Sequence, residues 1–244
     1  MNLGDRMKDY ESRNDFRLQR KIPVLGRLDG KAFHRVTREM RRPWDLTFAL
    51  CMRDAAQALC ENIQGCQIAY VQSDEITILL KDWQTFQTDP WFDYRVQKMC
   101  AVAASIATDA FNTSLKSYNI DTAPAWFDAR FWNVTPSEVC NAFLWRQRDA
   151  EKNSIAMLAQ AHFSHTMLHE KNTSQMQDML MALDPPINWN DCEVWQKRGS
   201  CVVREVYEKP ADAENEAAMR SRWIVDWNTP IFSKDRAYIE KFLE

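Results

Sequence analysis

The chain has 244 residues, 45% of them hydrophobic, enough for one large domain or a domain with an elaboration. No apolar run approaches the about 18 residues that a membrane-spanning helix needs, and Met1–Asp15 is too polar and too mixed in charge to act as a signal peptide. The net charge of −3 hides an asymmetry: residues 1–42 carry twelve Lys/Arg against six Asp/Glu, a balance of +6, and the remainder balances at −9. A basic N-terminal part favours a polyanionic ligand there, and a solvated basic face is the plainer alternative. Seven cysteines without a Cys-x-x-Cys pair point to reduced, mostly buried thiols in a cytoplasmic protein, and the ten tryptophans are expected mainly in the core.

In chain order, residues 1–20 read as a helix or arm with Arg13, Arg17 and Arg20 on one face. The apolar run Ile22–Leu28 predicts a buried strand. Lys31–Met40 reads as a short helix or loop carrying Arg35 and Arg38, with Arg41 and Arg42 after it; Pro43 ends the run. Phe48, Met52, Ala55, Leu59 and Ile63 form the stripe of a helix over 47–63, with Thr47 as its N-cap. A hairpin over 67–80 follows, then a polar loop with Pro90, an alanine-rich helix over 92–116 and a strand over 125–134. Thr135-Pro136-Ser137-Glu138 reads as a capping box opening a helix to about Gln160. A further helix begins near Ser174, with Gln177 completing a second box. Trp189–Arg198 is turn-rich, Cys201–Tyr207 and Arg222–Trp227 read as paired strands, 211–219 as a loop or insertion, and Ser233–Leu243 as a closing helix. The order over 22–134 is βαββαβ, the split βαβ arrangement of ferredoxin-like folds. The expected architecture is α+β, with 1–134 as the catalytic domain (core 22–134) and 135–244 as a helical and β elaboration packed on it.

Two stretches carry chemistry. The first strand ends at Asp29-Gly30, where a carboxylate beside a glycine suits a metal-bound phosphate, though Asp-Gly is equally a turn signal. The second is Gln72-Ser73-Asp74-Glu75, an acidic bend between two apolar runs. Two strands each presenting an aspartate can bring Asp29 and Asp74 side by side, a pair suited to Mg²⁺ with substrate phosphates completing the shell.

Arg27-Leu28-Asp29-Gly30-Lys31-Ala32-Phe33-His34 and Gln72-Ser73-Asp74-Glu75, 45 residues apart at the aspartates, together resemble the tRNA-His guanylyltransferase family of 3′–5′ polymerases. The text Phe143-Leu144-Trp145-Arg146-Gln147-Arg148-Asp149-Ala150-Glu151-Lys152-Asn153-Ser154 is similar to its bacterial and phage-type members, and the family's His-Ile-Asn-x-x-Tyr-Asn motif is absent. The resemblance implies a polymerase palm and nucleotide addition to the 5′ end of a tRNA after activation with ATP or GTP. It implies two Mg²⁺ ions held by Asp29, the Gly30 carbonyl and Asp74, with Glu75 beside the catalytic pair. Nucleotide binding falls to Asp29–His34 (Lys31, Ala32 and Phe33 included), Ser73 and Asp74. Phosphate or tRNA contacts fall to Arg27, Arg146, Asp149, Asn153, Lys171 and Asn172, and a homotetramer is expected. Arg146, Asp149 and Asn153 share one face of their predicted helix.

Other readings stay open at this point. A palm-domain cyclase lacks its glycine-rich turn here, since the chain has five glycines in all. A non-catalytic RNA-binding module would use Trp126, Phe127, Phe131 and Trp132. His162, His165 and His169 invite zinc, yet no Cys or carboxylate pattern completes a site; a loop contacting RNA or triphosphate, with Lys171 and Asn172, is the alternative.

Overall fold

Alternation along β1 (Val24–Gly30) sets the two faces of a central sheet. Val24 and Leu28 join the larger core, whereas Leu25 joins a second core on the opposite face. The computed structural model describes residues 1–209 and 218–244. Its strands are β1, β2 (Cys66–Gln72), β3 (Glu75–Leu80), β4 (Phe127–Asn133), β5 (Ser200–Lys209) and β6 (Ala218–Asp226). Its helices are α1 (Leu3–Ser12), α2 (Leu46–Asn62), α3 (Val96–Ser117), α4 (Pro136–Gln160), α5 (His165–Leu168), α6 (Thr173–Met181), α7 (Val194–Arg198) and α8 (Ala237–Glu240).

The six strands lie in the order β4-β1-β3-β2-β5-β6. Its first four members are the expected ferredoxin-like core. β1 pairs antiparallel with both β3 and β4, and β2 pairs antiparallel with β3. The C-terminal ribbon continues this sheet: Ile68–Val71 of β2 pairs with Ser200–Val203 of β5, and β5 pairs with β6.

α2 and α3 cover one face. Met52, Ala55, Leu59, Ala103, Ala107 and Phe111 pack on Val24, Leu28, Ala69, Ile76 and Ile78, all fully buried apart from the strand edges. α4 and α8 cover the other through Val139, Phe143 and Ile239 against Leu25, Ile68, Tyr70 and Leu79. A smaller core under α4, α5 and α6 holds Ile155, Leu158, Leu168, Leu180 and Trp189.

Several local readings are corrected. α1 stops at Ser12, so Arg13, Arg17 and Arg20 share no helical face; Arg17 and Arg20 instead converge on Asp93. Asp45, not Thr47, caps α2 by accepting from Phe48 N. Thr135 makes no capping bond, and the second box is Asn172 with Gln175 rather than Ser174 with Gln177. The closing helix is a single turn followed by a 3-10 turn, Lys241–Leu243. The α3 helix begins at Val96, after a 3-10 segment over Trp91–Tyr94. Of the expected loop 211–219, residues 218 and 219 belong to β6 and the rest lies outside the described residues. Only Trp91 and Trp189 among the ten tryptophans are buried, so the expectation that most lie in the core does not hold. All seven cysteines are free thiols, five of them buried. No helix among the described residues is long and apolar enough to cross a membrane.

Candidate active site

The site is built where β1 ends beside the β2–β3 bend. Gln72 pairs with Glu75, leaving Ser73 and Asp74 as a two-residue connection. Ser73 takes φ +48°, a left-handed conformation that a serine adopts at some cost. Gly30 N donates to the Asp74 carbonyl at 3.0 Å, tying the end of β1 to the bend. A Cβ on Gly30 would lie 2.4 Å from the Phe33 ring, so glycine lets Phe33 fold back into the core beneath the site.

Asp29 and Asp74 therefore come together at one corner of the sheet. Burial pushes the Asp74 carboxyl above the usual carboxylate range, and the neighbouring Asp29 charge adds to the shift. Two carboxylates held this close without a cation repel each other. Among the described residues no group of three or more His, Cys, Asp or Glu could hold a metal by itself. The corner offers two neighbouring carboxylates, and the Gly30 backbone is tied to it through Gly30 N and the Asp74 carbonyl. That oxygen set suits Mg²⁺, which keeps several waters and takes its remaining ligands from substrate phosphates. It does not suit zinc, which prefers a closed nitrogen and sulfur shell.

Glu75 shares a sheet face with its register partner Asp29 but is taken up in an ion pair. By strand alternation it points to the α4 side of the sheet. There Arg146 grips both its oxygens, Nε to Oε1 at 2.5 Å and Nη2 to Oε2 at 2.7 Å. Arg27 Nε stands 3.9 Å from the same carboxylate. Arg146 also reaches Asp149 at 2.9 Å, and Asn153 Nδ2 lies 3.5 Å from that Asp149 oxygen. Burial pushes Glu75 up against the pull of Arg146, while the two acidic partners outweigh burial at Arg146 and hold it protonated. The face Arg146–Asp149–Asn153 thus exists, but its arginine is committed to a buried ion pair. Asn153 alone of the three lines the neighbouring cavity.

That cavity, of about 360 Å³, lies between the loop 33–45, the start of α2, the bend and the C-terminal half of α4. His34, Ser73, Asp74 and Asn153, all singled out from the sequence, line it. Phe33 touches it from the core, packed edge-on against Phe48 and Phe127. Ala32 holds φ +55° in the turn after Gly30. Lys31 is exposed beside the exposed Trp126, its Nζ 6.0 Å from the ring centroid. Lys171 and Asn172 are absent from the lining; the Asn172 side chain caps α6. His162, His165 and His169 are all exposed, with the rings of the last two 6.4 Å apart. Phe127 and Phe131 are core residues facing α3, so they are not free to stack on RNA.

The sequence reading missed Asp45, Arg53, Trp195 and Gly199, which also line the cavity. Arg53 stands out: it is 3% exposed, stacks on Trp227 at 3.6 Å, and burial pushes it down to about 9. A cation interrupting the apolar residues Met52 and Ala55 was the available signal.

Comparison with known proteins places this geometry. A family model described as tRNAHis guanylyltransferase matches residues 4–135. A bacterial tRNA(His) guanylyltransferase-like protein in complex with ATP is 43% identical, with a TM-score of 0.91 over 100% of this chain and 99% of its own. A bacterial protein of the same description in complex with GTP is 41% identical, with a TM-score of 0.85 over 99% and 98%. The tRNA(His) guanylyltransferase of Schizosaccharomyces pombe is 27% identical over 226 residues, 85% of this chain and 81% of its own. The matched region contains both aspartates and the whole four-stranded core, and the chain belongs to the tRNA-His guanylyltransferase family.

Proposed function

We propose that the chain is a 3′–5′ nucleotidyltransferase that adds nucleotides to the 5′ end of a tRNA from ATP or GTP, and that Asp29, Gly30 and Asp74 form its catalytic corner. One observation carries the reading: Asp74, with Asp29 close enough to raise its pKa, lines a cavity together with His34, Ser73 and Asn153. Family membership and relatives seen with ATP and with GTP support the nucleotide as occupant.

Two Mg²⁺ ions bound there would neutralise triphosphate charge and lower the pKa of an attacking hydroxyl. The protein's own part is positional. Asp29 and Asp74 supply negative charge, the glycine at 30 keeps the backbone close, and Lys31 offers a cation at the rim. Glu75 and Arg146 act through position, since their pairing fixes α4 against β3 and so sets Asn153 at the cavity wall. In activation, an oxygen of the RNA 5′-monophosphate attacks the α-phosphorus of an NTP and pyrophosphate leaves. In transfer, the 3′-hydroxyl of a second NTP attacks the RNA 5′ phosphorus and the nucleoside monophosphate leaves. Both are displacements at phosphorus, and positioning plus charge suffice for them.

In this reading residues 1–134 hold the catalysis and 135–244 supply the α4 wall and RNA contacts. The protein acts in the cytoplasm as a homo-oligomer, a tetramer by family resemblance. The test is Mg²⁺-dependent incorporation of labelled GTP into the 5′ end of a truncated tRNA. Incorporation is expected; RNA binding without incorporation would leave a binding module, and conversion of the NTP alone would leave a cyclase.

A further inference from the structure

Most buried cations in this protein have acceptors. Arg146 has Glu75, Arg198 has Glu151 at 2.8 Å, and Lys197 donates to the Asn190 carbonyl at 2.5 Å. Arg53 differs. It is 3% exposed, and its Nε has no hydrogen-bond partner among the described residues. Burial alone acts on its pKa, so no carboxylate among the described residues compensates the charge. An uncompensated buried charge is costly, so a ligand that brings it acceptors would be favoured there.

The surroundings say what kind of ligand. Trp227 covers one guanidinium face at 3.6 Å, and Trp195 lies 5.3 Å away. Stacking occupies the faces of the ion and leaves its in-plane N–H edge unused. Around it the cavity wall includes Phe48, Met52 and Met157, apolar groups that suit a purine ring better than a triphosphate. On the proposed function, the phosphate end of a nucleotide belongs at the Asp29–Asp74 corner. A guanine presents two acceptors, O6 and N7, to an arginine fork, whereas adenine replaces O6 with the donor N6–H₂.

We propose that Arg53 is a specificity-determining residue, its unpaired edge reading the guanine O6 and N7 of the nucleotide that the free protein takes into the cavity. The inference rests on the nucleotidyltransferase reading. A nucleotide bound before RNA arrives has no template base opposite it, so the cavity wall is its only reader.

The test is isothermal titration of the RNA-free protein, with Mg²⁺, against GTP, ATP, 7-deaza-GTP and tripolyphosphate. Wild type should bind GTP about tenfold or more tightly than ATP or 7-deaza-GTP. Arg53→Met should lose about 10- to 100-fold for GTP and less than about threefold for ATP and 7-deaza-GTP, with tripolyphosphate unchanged. Its melting temperature should not fall, since the substitution removes an unpaired buried charge. Arg53→Lys, which keeps charge without the fork, should behave as Arg53→Met does. Equal losses for GTP, ATP and tripolyphosphate would make Arg53 a phosphate contact and overturn the proposal. If Arg53→Met fails to fold, wild type still decides: GTP and 7-deaza-GTP binding alike overturns it. Wild type that binds no nucleotide at all would overturn the proposed function first and this inference with it.

Discussion

At the residue scale, the Ser73-Asp74 bend is strained in both backbone and charge. Ser73 holds a left-handed φ, and the Asp74 carboxyl is pushed up by burial and by Asp29. Asp29→Ala and Asp74→Ala should each abolish nucleotide addition while the circular dichroism spectrum stays native; activity above a few per cent in either variant would count against the metal corner. Asp74→Asn should raise the melting temperature of the metal-free protein at pH 7. The sign follows from linkage. A raised folded pKa is a penalty on the charged form, fully present above that pKa and gone below the unfolded value. The gain from Asn should therefore shrink as the pH falls toward 4, and a gap independent of pH would refute the assignment. Glu75 and Arg146, with side chains 8% and 10% exposed, behave oppositely. Removing one partner strands the other charge, so Arg146→Met should cost about 3–5 kcal/mol in denaturant unfolding. A double-mutant cycle with Glu75→Gln should recover part of that loss; strict additivity would mean that the pair is not coupled.

At the scale of elements, the basic loop and α2 act as one. Asp45 caps α2 with one oxygen and accepts Arg41 N at 3.0 Å with the other, so the helix cap also fixes the loop that closes the cavity. Asp45→Ala should cost about 1 kcal/mol of stability, read from the shift of the unfolding midpoint. Arg35 and Arg38 are exposed and outside the cavity lining. Reversing both to Glu should weaken tRNA binding far more than NTP binding and flatten the salt dependence by about one unit of log–log slope per lost phosphate contact. Filter binding over a salt series would show it, and an unchanged slope would mean that these arginines only solvate a surface.

The elements legible in the sequence were those with strong periodicity: the β1 run, the α2 stripe, the hairpin and the long α4 all lie within a few residues of expectation. Ends were not legible, because a cap is chosen by tertiary contact. Ser174 and Gln177 match the capping pattern as well as Asn172 and Gln175 do, and the chain uses the latter. The site was legible where backbone geometry imposes it, at Asp29-Gly30 and Ser73-Asp74. It was not legible where distant elements converge: Arg53 is at the cavity only because α7 and the end of β6 bring Trp195 and Trp227 to α2.

At the scale of the whole molecule, the question is what chooses the base that is transferred. The cavity proposed to hold the free nucleotide is bounded by α2, the bend and α4. Its buried cation Arg53, whose Nε has no partner among the described residues, is proposed to act on a nucleotide bound without RNA. A nucleotide delivered to a docked tRNA end has a second reader, the opposing base of the 3′ strand. The chain lacks the His-Ile-Asn-x-x-Tyr-Asn motif and carries the Arg146–Ser154 text of the bacterial and phage-type members. Each mismatch costs roughly the stacking and pairing of one base step, about 1–2 kcal/mol, before any closure of the site amplifies it. We therefore expect the transferred base to follow Watson–Crick pairing, as templated 5′-end repair requires. Four truncated tRNAs differing only at the opposing base, each offered the four NTPs singly, provide the measurement. The predicted result is a diagonal: each template base selects its complement by about tenfold or more, and Arg53→Met leaves the diagonal in place while slowing activation by GTP. Guanosine added at one rate opposite every base would show that the protein itself dictates guanosine, and the repair reading would give way to strict guanylyl transfer.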